Sequence, residues 1–386
     1  MLRLLHTADW HLGKRFLSFP EEAQKTLSRA RMDVVGKILE MARRQRVHAV
    51  LCAGDLFDDP TPAQDFWAGL AKTFHDHPTE APVFLVPGNH DPLTKESVWH
   101  TGHPFRARLP GWVHVVDRDD FSYEITSEAV LYARPCRSKA GENDPAMALP
   151  AREPGDARLR IGCVHGSTFD IPRYQTNFPI RRDAGVQRGL DYLAIGDTHS
   201  FRDVTPKLPV PTVYPGTPEP TSFDEPGAGK VAVVALFRRG FRPRVEEAQV
   251  ASWSWIDVRC RGMNELRALL TRPDLERHVV RLHLDMTVSL AEESELSRIL
   301  QDLEGTDATH GRAGILVVDR TGLRVQAGSA SAFPDDLAPV LKDTVARLDR
   351  IIAETADEAE REKANRALSH LYKLLQQQDA VTGAAR

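Results

Sequence analysis

The sequence predicts an α/β protein: a two-layered β sandwich flanked by helices, then a small α/β cap and a helical tail. Three observations carry that prediction. Five apolar runs, LRLL, VHAVLCA, PVFLV, LRIGCV and LDYLAI, are long enough for buried strands, and each leads into Gly, Asp, Asn or His. The segments after the first two runs space their apolar residues as helices do. Past Asp257 shorter strand and helix patterns take over.

Taken in order, LRLL leads to HTADWH, and residues 21–46 then place Leu27, Val34, Val35, Ile38, Leu39 and Met41 at helical spacing in a charged segment. The run 47–53 ends in GDLFDD. The Pro60 and Pro62 pair opens a second helix to about residue 77, carrying Phe66, Trp67, Leu70 and Phe74. PVFLVP leads to GNHD, with a third helix expected around 95–100 holding Trp99. Residues 113–116 and 129–133 read as strands, 137–157 as a loop rich in Pro, Gly and charge, and 169–183, beyond the HG motif, as a second long loop. From Val210 the runs VPTVYPG, KVAVVALF and FRPRVEEAQV suit a second sheet packed on the first. A helix at 263–270, a strand at 278–286, a helix at 291–303 and a strand at 314–319 form a small α/β module. Leu337, Leu341, Val345, Leu348 and Ile352, then Ala364, Leu368, Leu371 and Leu375, mark two closing amphipathic helices. Three domains are expected: 1–256, 257–332 and 333–386.

At 386 residues, 41% of them apolar, the chain exceeds one ordinary domain and can bury a substantial core. A net charge of −4 excludes polycation behaviour, so any nucleic-acid contact has to come from a local basic surface. Cys52, Cys136, Cys163 and Cys260 form no CxxC pair, which points to buried reduced thiols rather than a disulfide or zinc site. MLRLLHTAD turns polar too soon for a signal peptide, and no apolar stretch reaches the ~18 residues of a membrane span. A cytoplasmic protein with no membrane contact is expected.

The five strand ends carry Asp9, His11, Asp55, Asn89, His90, His165, Asp197 and His199. One acid at one strand end is an ordinary turn or cap residue, and one His is an ordinary surface residue. Five loaded ends on one sheet edge call for chemistry, because open α/β sheets bind ligands at the carboxyl ends of their strands. Oxygen and nitrogen donors without sulfur suit Mn, Fe, Zn or Mg. Their number exceeds one ion's needs, so two ions ~3.5–4 Å apart sharing a carboxylate is the economical arrangement, with Asp55 as the bridge. In-line attack of water on phosphorus is the reaction such a pair favours. Lys14 and Arg15, just past the first motif, are candidates to clamp substrate phosphates, and Arg173, Arg181 and Arg182 to touch a polyanion from the second loop.

The ordered set DWH, GDLFD, GNHD, HG and GDTH resembles the calcineurin-like metallophosphoesterase superfamily. DWHLGKRF, GDLFD and PGTPEP more narrowly resemble the bacterial SbcD-type DNA repair exonucleases, relatives of the meiotic recombination nuclease that works with an SMC-like ATPase. The motifs span residues 2–220. The resemblance implies a four-layer α/β/β/α sandwich and Mn-dependent hydrolysis of DNA, exonucleolytic with endonucleolytic cutting as an extension of the same chemistry. It implies one metal on Asp9, His11, Asp55 and His199 and another on Asp55, Asn89 and His165. His90 would face the substrate and protonate the leaving oxygen, with Asp58 orienting that imidazole. It further implies a homodimer, a DNA-positioning cap at 257–332, and closing helices that dock the ATPase partner. Where the family reads Gly-His-x-His this chain has Gly196-Asp197-Thr198-His199. Asp197 is expected to bind the second metal and to make that site harder, favouring Mn or Mg. Rival expectations are a small-substrate phosphodiesterase or phosphatase, for cyclic nucleotides among others, and an inactive scaffold for an ATPase. On DNA the protein would sit on the nucleoid.

Overall fold

A computed structural model describes every residue except 169–175, 307–308, 327–332, 334–336 and 384–386. The chain divides into two compact units, Met1–Ser254 and Trp255–Arg386. The strands of the first unit are β1 (Leu2–Thr7), β2 (Ala49–Ala53), β3 (Val83–Val86), β4 (Val113–Val115), β5 (Phe121–Thr126) and β6 (Ala129–Ala133). They continue as β7 (Leu159–His165), β8 (Tyr192–Gly196), β9 (Arg202–Asp203), β10 (Thr212–Tyr214), β11 (Lys230–Leu236) and β12 (Arg244–Gln249). Two six-stranded sheets result, in the orders β12-β11-β1-β2-β3-β4 and β5-β6-β7-β8-β10-β9.

Strands β1 to β4 are parallel, as are β6, β7, β8 and β10. Parallel strands are covered on both faces, which is why AVLCA and LRIGCV read as unbroken apolar runs and why every residue of β2 and β7 is buried. Leu4, Leu51, Phe84 and Val86 of one sheet meet Leu131, Ile161, Tyr192 and Ala194 of the other. On the outer face of the first sheet, Leu5, Val50, Cys52 and Leu85 pack on helices α1 (Glu21–Arg44) and α2 (Gln64–Asp76). Among the described residues, the outer face of the second sheet packs on Ala146, Leu149, Ile180 and the one-turn helix Ala184–Gln187. The four cysteines are buried and free.

Some expectations fail for identifiable reasons. KVAVVALF and FRPRVEEAQV form β11 and β12, which pair antiparallel beside β1 in the first sheet rather than extending the second. No helix forms around 95–100. There Ser97 Oγ donates to Thr94 O (3.0 Å) and accepts from Thr94 N–H (3.1 Å), so a hydroxyl takes the groups a helix would use. Strand β5 has no counterpart among the expected strands, and it buries only part of one face. The aromatic residues that could have formed a homodimer surface are occupied internally: Trp67, Phe74 and Trp99 are buried and Phe66 is half-buried.

The second unit holds a three-stranded sheet, Ser254–Cys260, His278–Leu284 and Ile315–Asp319, with helices Met263–Leu270 and Leu290–Glu304. The latter starts at a capping box, Ser289 with Glu292. Helices Pro339–Glu354 and Glu358–Gly383 belong to this unit, and their stripes meet through Val345, Leu348, Ile352, Leu368 and Leu371. Among the described residues no helix is long and apolar enough to cross a membrane.

Candidate metal centre

The loops leaving β1 and β2 stay zipped together beyond the sheet edge. Asp9 N–H donates to Gly54 O (3.0 Å), His11 N–H to Asp55 O (2.9 Å) and Leu12 N–H to Leu56 O (2.9 Å). Asp9, His11 and Asp55 are thereby brought to one gap with strained backbones, at φ 54°, 44° and 54°, and Asp197 joins them at φ 122°. A non-glycine residue held in such a region costs about 1–3 kcal/mol, and such residues cluster at functional sites. Clearance comes from two glycines: a Cβ on Gly54, itself at φ 94°, would lie 2.2 Å from His165 Nδ1, and one on Gly88 would lie 2.1 Å from Asp55 Oδ1.

Two imidazoles face each other in a way that calls for a cation. His11 Nδ1–H donates to Asp58 Oδ1 (3.0 Å) and His199 Nδ1–H to Glu225 Oε1 (2.5 Å). With both Nδ1 atoms committed to carboxylates, the two Nε2 atoms meet at 3.0 Å. Two lone pairs repel at that distance, so a proton or a metal ion has to lie between them. Asp9 completes this group. Burial and the neighbouring His199 hold His11 well below the ordinary histidine range. Burial would lower His199 as well, but Glu225 outweighs it and raises that ring.

A second group forms around His165. Its Nδ1–H donates to Ala53 O (2.9 Å), leaving Nε2 toward Asn89 Oδ1 (2.7 Å), Asp55 Oδ2 (3.5 Å) and Asp197 Oδ1 (3.9 Å). Burial opposes charge on His165, yet Asp55, Asp9 and Asp197 raise it to about 9. The carboxylates that attract a proton there would attract a metal ion as well. Burial pushes the Asp9 carboxyl up to about 7, against the pull of His165 and His199. Asp55 reaches both groups, its Oδ2 being 3.8 Å from His11 Nε2. Asp9, His11, Asp55, Asn89, His165, Asp197 and His199 therefore could hold two ions, with Asp55 between them.

Beside two divalent ions, Asp197 would bear on substrate binding through charge. Two divalent ions against Asp9, Asp55 and Asp197 leave one positive charge, and a histidine at 197 would leave two. Asp197→His is expected to tighten inhibition by inorganic phosphate about tenfold, since one unit charge a few ångströms away is worth one or more kcal/mol even at a high effective dielectric. Inhibition constants for both proteins check this, and equal or weaker inhibition of the variant would contradict it.

The other expected residues divide. The Asp58 carboxylate accepts from His11 Nδ1–H and also lies within ion-pair distance of His90 Nδ1, at 3.9 Å. His90 is 47% exposed at the mouth, its backbone N–H donating to Asp55 Oδ1 (2.9 Å). Lys14 adjoins the site, Nζ being 3.9 Å from Asp58 Oδ1, and Arg15 is exposed next to it. Arg181 is engaged by Asp183 and, through its N–H, by Asp144, while Arg182 is exposed. Arg173 lies outside the described residues.

Three supporting residues escape a reading of the sequence. Asp91 is buried and accepts N–H bonds from Leu56, Phe57 and Gly88, tying the β2 and β3 loops together. Glu225 fixes His199. Arg31, buried on α1, reaches Asp9 O, Trp10 O and Glu219 O and so braces the first loop from behind. An arginine in the apolar stripe of Leu27, Val34 and Val35 is the signal that could have found it.

A double-sheet sandwich with acids and histidines converging at one edge defines a metal-dependent phosphoester hydrolase. The profile of the calcineurin-like phosphoesterase family matches residues 2–201, more than half of the chain, and the chain belongs to that family. It is 26% identical over 234 residues to "Uncharacterized metallophosphoesterase YhaO" of Bacillus subtilis, covering 58% of this chain and 55% of that protein. It is 27% identical over 303 residues to the SbcD component of the nuclease SbcCD of Escherichia coli K12, covering 64% and 68%. To "DNA double-strand break repair protein Mre11" of Saccharolobus solfataricus it is 28% identical over 206 residues, covering 52% and 50%. The matches thus span between half and about two thirds of these relatives' lengths.

Proposed function

We propose that this chain is a Mn-dependent DNA exonuclease, with endonucleolytic cutting by the same chemistry, working with an SMC-like ATPase in DNA repair. The observation that carries the metal-dependent step is the pair of facing Nε2 atoms of His11 and His199, which a bound cation reconciles. The donor set is oxygen and imidazole without sulfur, suited to Mn or Mg. Two divalent ions held there would supply Lewis acidity toward a water and a phosphate. The chain's residues do the rest. Asp58 and Glu225 fix the tautomers of His11 and His199, Asn89 and Ala53 O orient His165, and Lys14 with Arg15 offers positive charge to flanking phosphates. In this reading His90, exposed beside this group, gives a proton to the leaving oxygen.

The relatives named for nuclease activity and break repair favour DNA over a small phosphodiester, and so does the second unit, 255–386, which a small-substrate enzyme would not need. In this reading 257–332 positions DNA, 333–386 docks the ATPase, and the protein is cytoplasmic and on the nucleoid when DNA-bound. The test is a parallel assay with Mn of linear duplex DNA, single-stranded DNA and bis(p-nitrophenyl) phosphate. The same preparation, and a chain ending at Ser331, are probed for capture of an SMC-like ATPase. Hydrolysis of all three substrates and capture by the full chain alone are expected. Cleavage of the small ester only would move the assignment to a small-substrate phosphodiesterase.

A further inference from the structure

Beside the metal loops lies a cavity of about 530 Å3, between the segment Gly13–Phe16 and the outer sides of α1 and α2. Its lining combines four cations, Lys14, Arg15, Lys25 and Arg29, with Phe66 and the buried Phe16. The carboxylates that also line it are Glu21 and Asp65, and Glu21 is already paired with Lys25. Lys25 is paired with Glu22 as well, and Lys14 faces Asp58, so the uncommitted charge in the cavity is Arg15 and Arg29 against Asp65, positive by one. One of its lining residues reaches the candidate metal centre: Lys14 Nζ stands 3.9 Å from the Asp58 carboxylate that holds His11. Phe66 is half-buried, and its ring lies against Gly13, which has φ 95° and no side chain to push the ring away.

An aromatic wall with cations along one rim is the chemistry of a nucleotide in a single strand: the base has a π-face to stack and the phosphates need positive charge. The size suits one nucleotide. We infer that this cavity is a nucleotide subsite, in which Phe66 carries the base next to the scissile phosphodiester and Arg29 meets the following phosphate. The inference rests on the nuclease reading above and adds to it a residue-level basis for choosing a polynucleotide over a small diester. A small ester has neither base nor second phosphate, so it gains nothing from this cavity.

The test uses the full chain. Binding of a short dye-labelled oligonucleotide is followed by fluorescence anisotropy in EDTA, where no cutting occurs, and steady-state kinetics with Mn are measured on the oligonucleotide and on bis(p-nitrophenyl) phosphate. Phe66→Ala and Arg29→Ala are each expected to weaken oligonucleotide binding about tenfold and to raise its KM in step, as loss of one stacked base or one phosphate contact does. Their kcat/KM on the small ester should equal that of the unaltered protein, and Phe66→Trp should restore oligonucleotide binding. Unchanged oligonucleotide binding in both alanine variants would overturn the subsite while leaving the nuclease reading intact. Equal losses on both substrates would overturn it too, reducing Phe66 to packing on the first loop. An unaltered chain that neither binds nor cuts the oligonucleotide would instead remove the nuclease reading, and the subsite with it.

Discussion

Replacing Asp55 by Asn is expected to remove metal from both groups at once and to lower phosphodiester hydrolysis by at least about 10³-fold, some 4 kcal/mol of transition-state stabilisation. Asp55 Oδ2 lies 3.8 Å from His11 Nε2 and 3.5 Å from His165 Nε2, so one carboxylate oxygen serves two imidazole clusters. Burial alone would push this carboxyl up, but His165, His11 and His90 outweigh burial and hold it below the usual range. The three histidines therefore favour its ionised form. An amide of the same shape can still accept the His90 N–H through its oxygen, which preserves the loop. What it loses is the negative charge, and it places an N–H2 where two imidazoles present nitrogen. Metal content by mass spectrometry should fall from about two ions per chain to below one, with an unaltered far-ultraviolet circular dichroism spectrum. Retention of two ions would show that the groups around His11 and His165 do not share Asp55.

The contrast between Asp55 and Glu225 shows what a sequence of this kind displays. Asp55 follows a strand buried on both faces, and that burial writes an unbroken apolar run directly in front of it. The same is true of His165 and Asp197, so the residues at the sheet edge are legible together with the strands. Glu225 sits in TSFDEPGAGK, a segment with no period, and only the fold brings it to His199. Asp91 stands in plain view beside His90, but its work is to accept backbone N–H groups from another loop, and no pattern in sequence records that. Strands β11 and β12 are recognisable as strands, whereas the sheet they join is not. An antiparallel return to β1 and an extension of the second sheet need the same apolar run, so only pairing decides between them.

These supporting residues explain why the strained loops persist. Asp9, His11 and Asp55 hold positive φ while Arg31 clamps the carbonyls of Asp9 and Trp10, and Asp91 clamps the amides of Leu56 and Phe57. Each strained residue costs about 1–3 kcal/mol, which a few buried hydrogen bonds can offset. The loops that carry the site are thus braced by buried hydrogen bonds from outside the donor set. Such bracing is what accurate ligand placement requires.

His90→Ala is expected to separate metal binding from proton delivery. The imidazole is 47% exposed and stands edge-on to His11 with ring centroids 4.8 Å apart, while its place in the loop is fixed by its backbone N–H on Asp55. Removing the ring leaves that backbone bond, and metal content should remain about two per chain. The effect should depend on what leaves. An alcohol oxygen of a sugar departs poorly without a proton, so DNA hydrolysis should fall by about 10²–10⁴-fold, the usual contribution of a positioned general acid. p-Nitrophenolate departs unaided, so hydrolysis of bis(p-nitrophenyl) phosphate should change by less than about threefold, the scatter expected when no proton transfer is lost. His11, Asp58 and His90 also lie close enough to form a group that could hold an ion. If His90 were a ligand, its loss would deplete metal and slow both substrates alike. Equal loss on the two substrates, or fewer ions per chain, would therefore reassign His90 from proton donor to ligand.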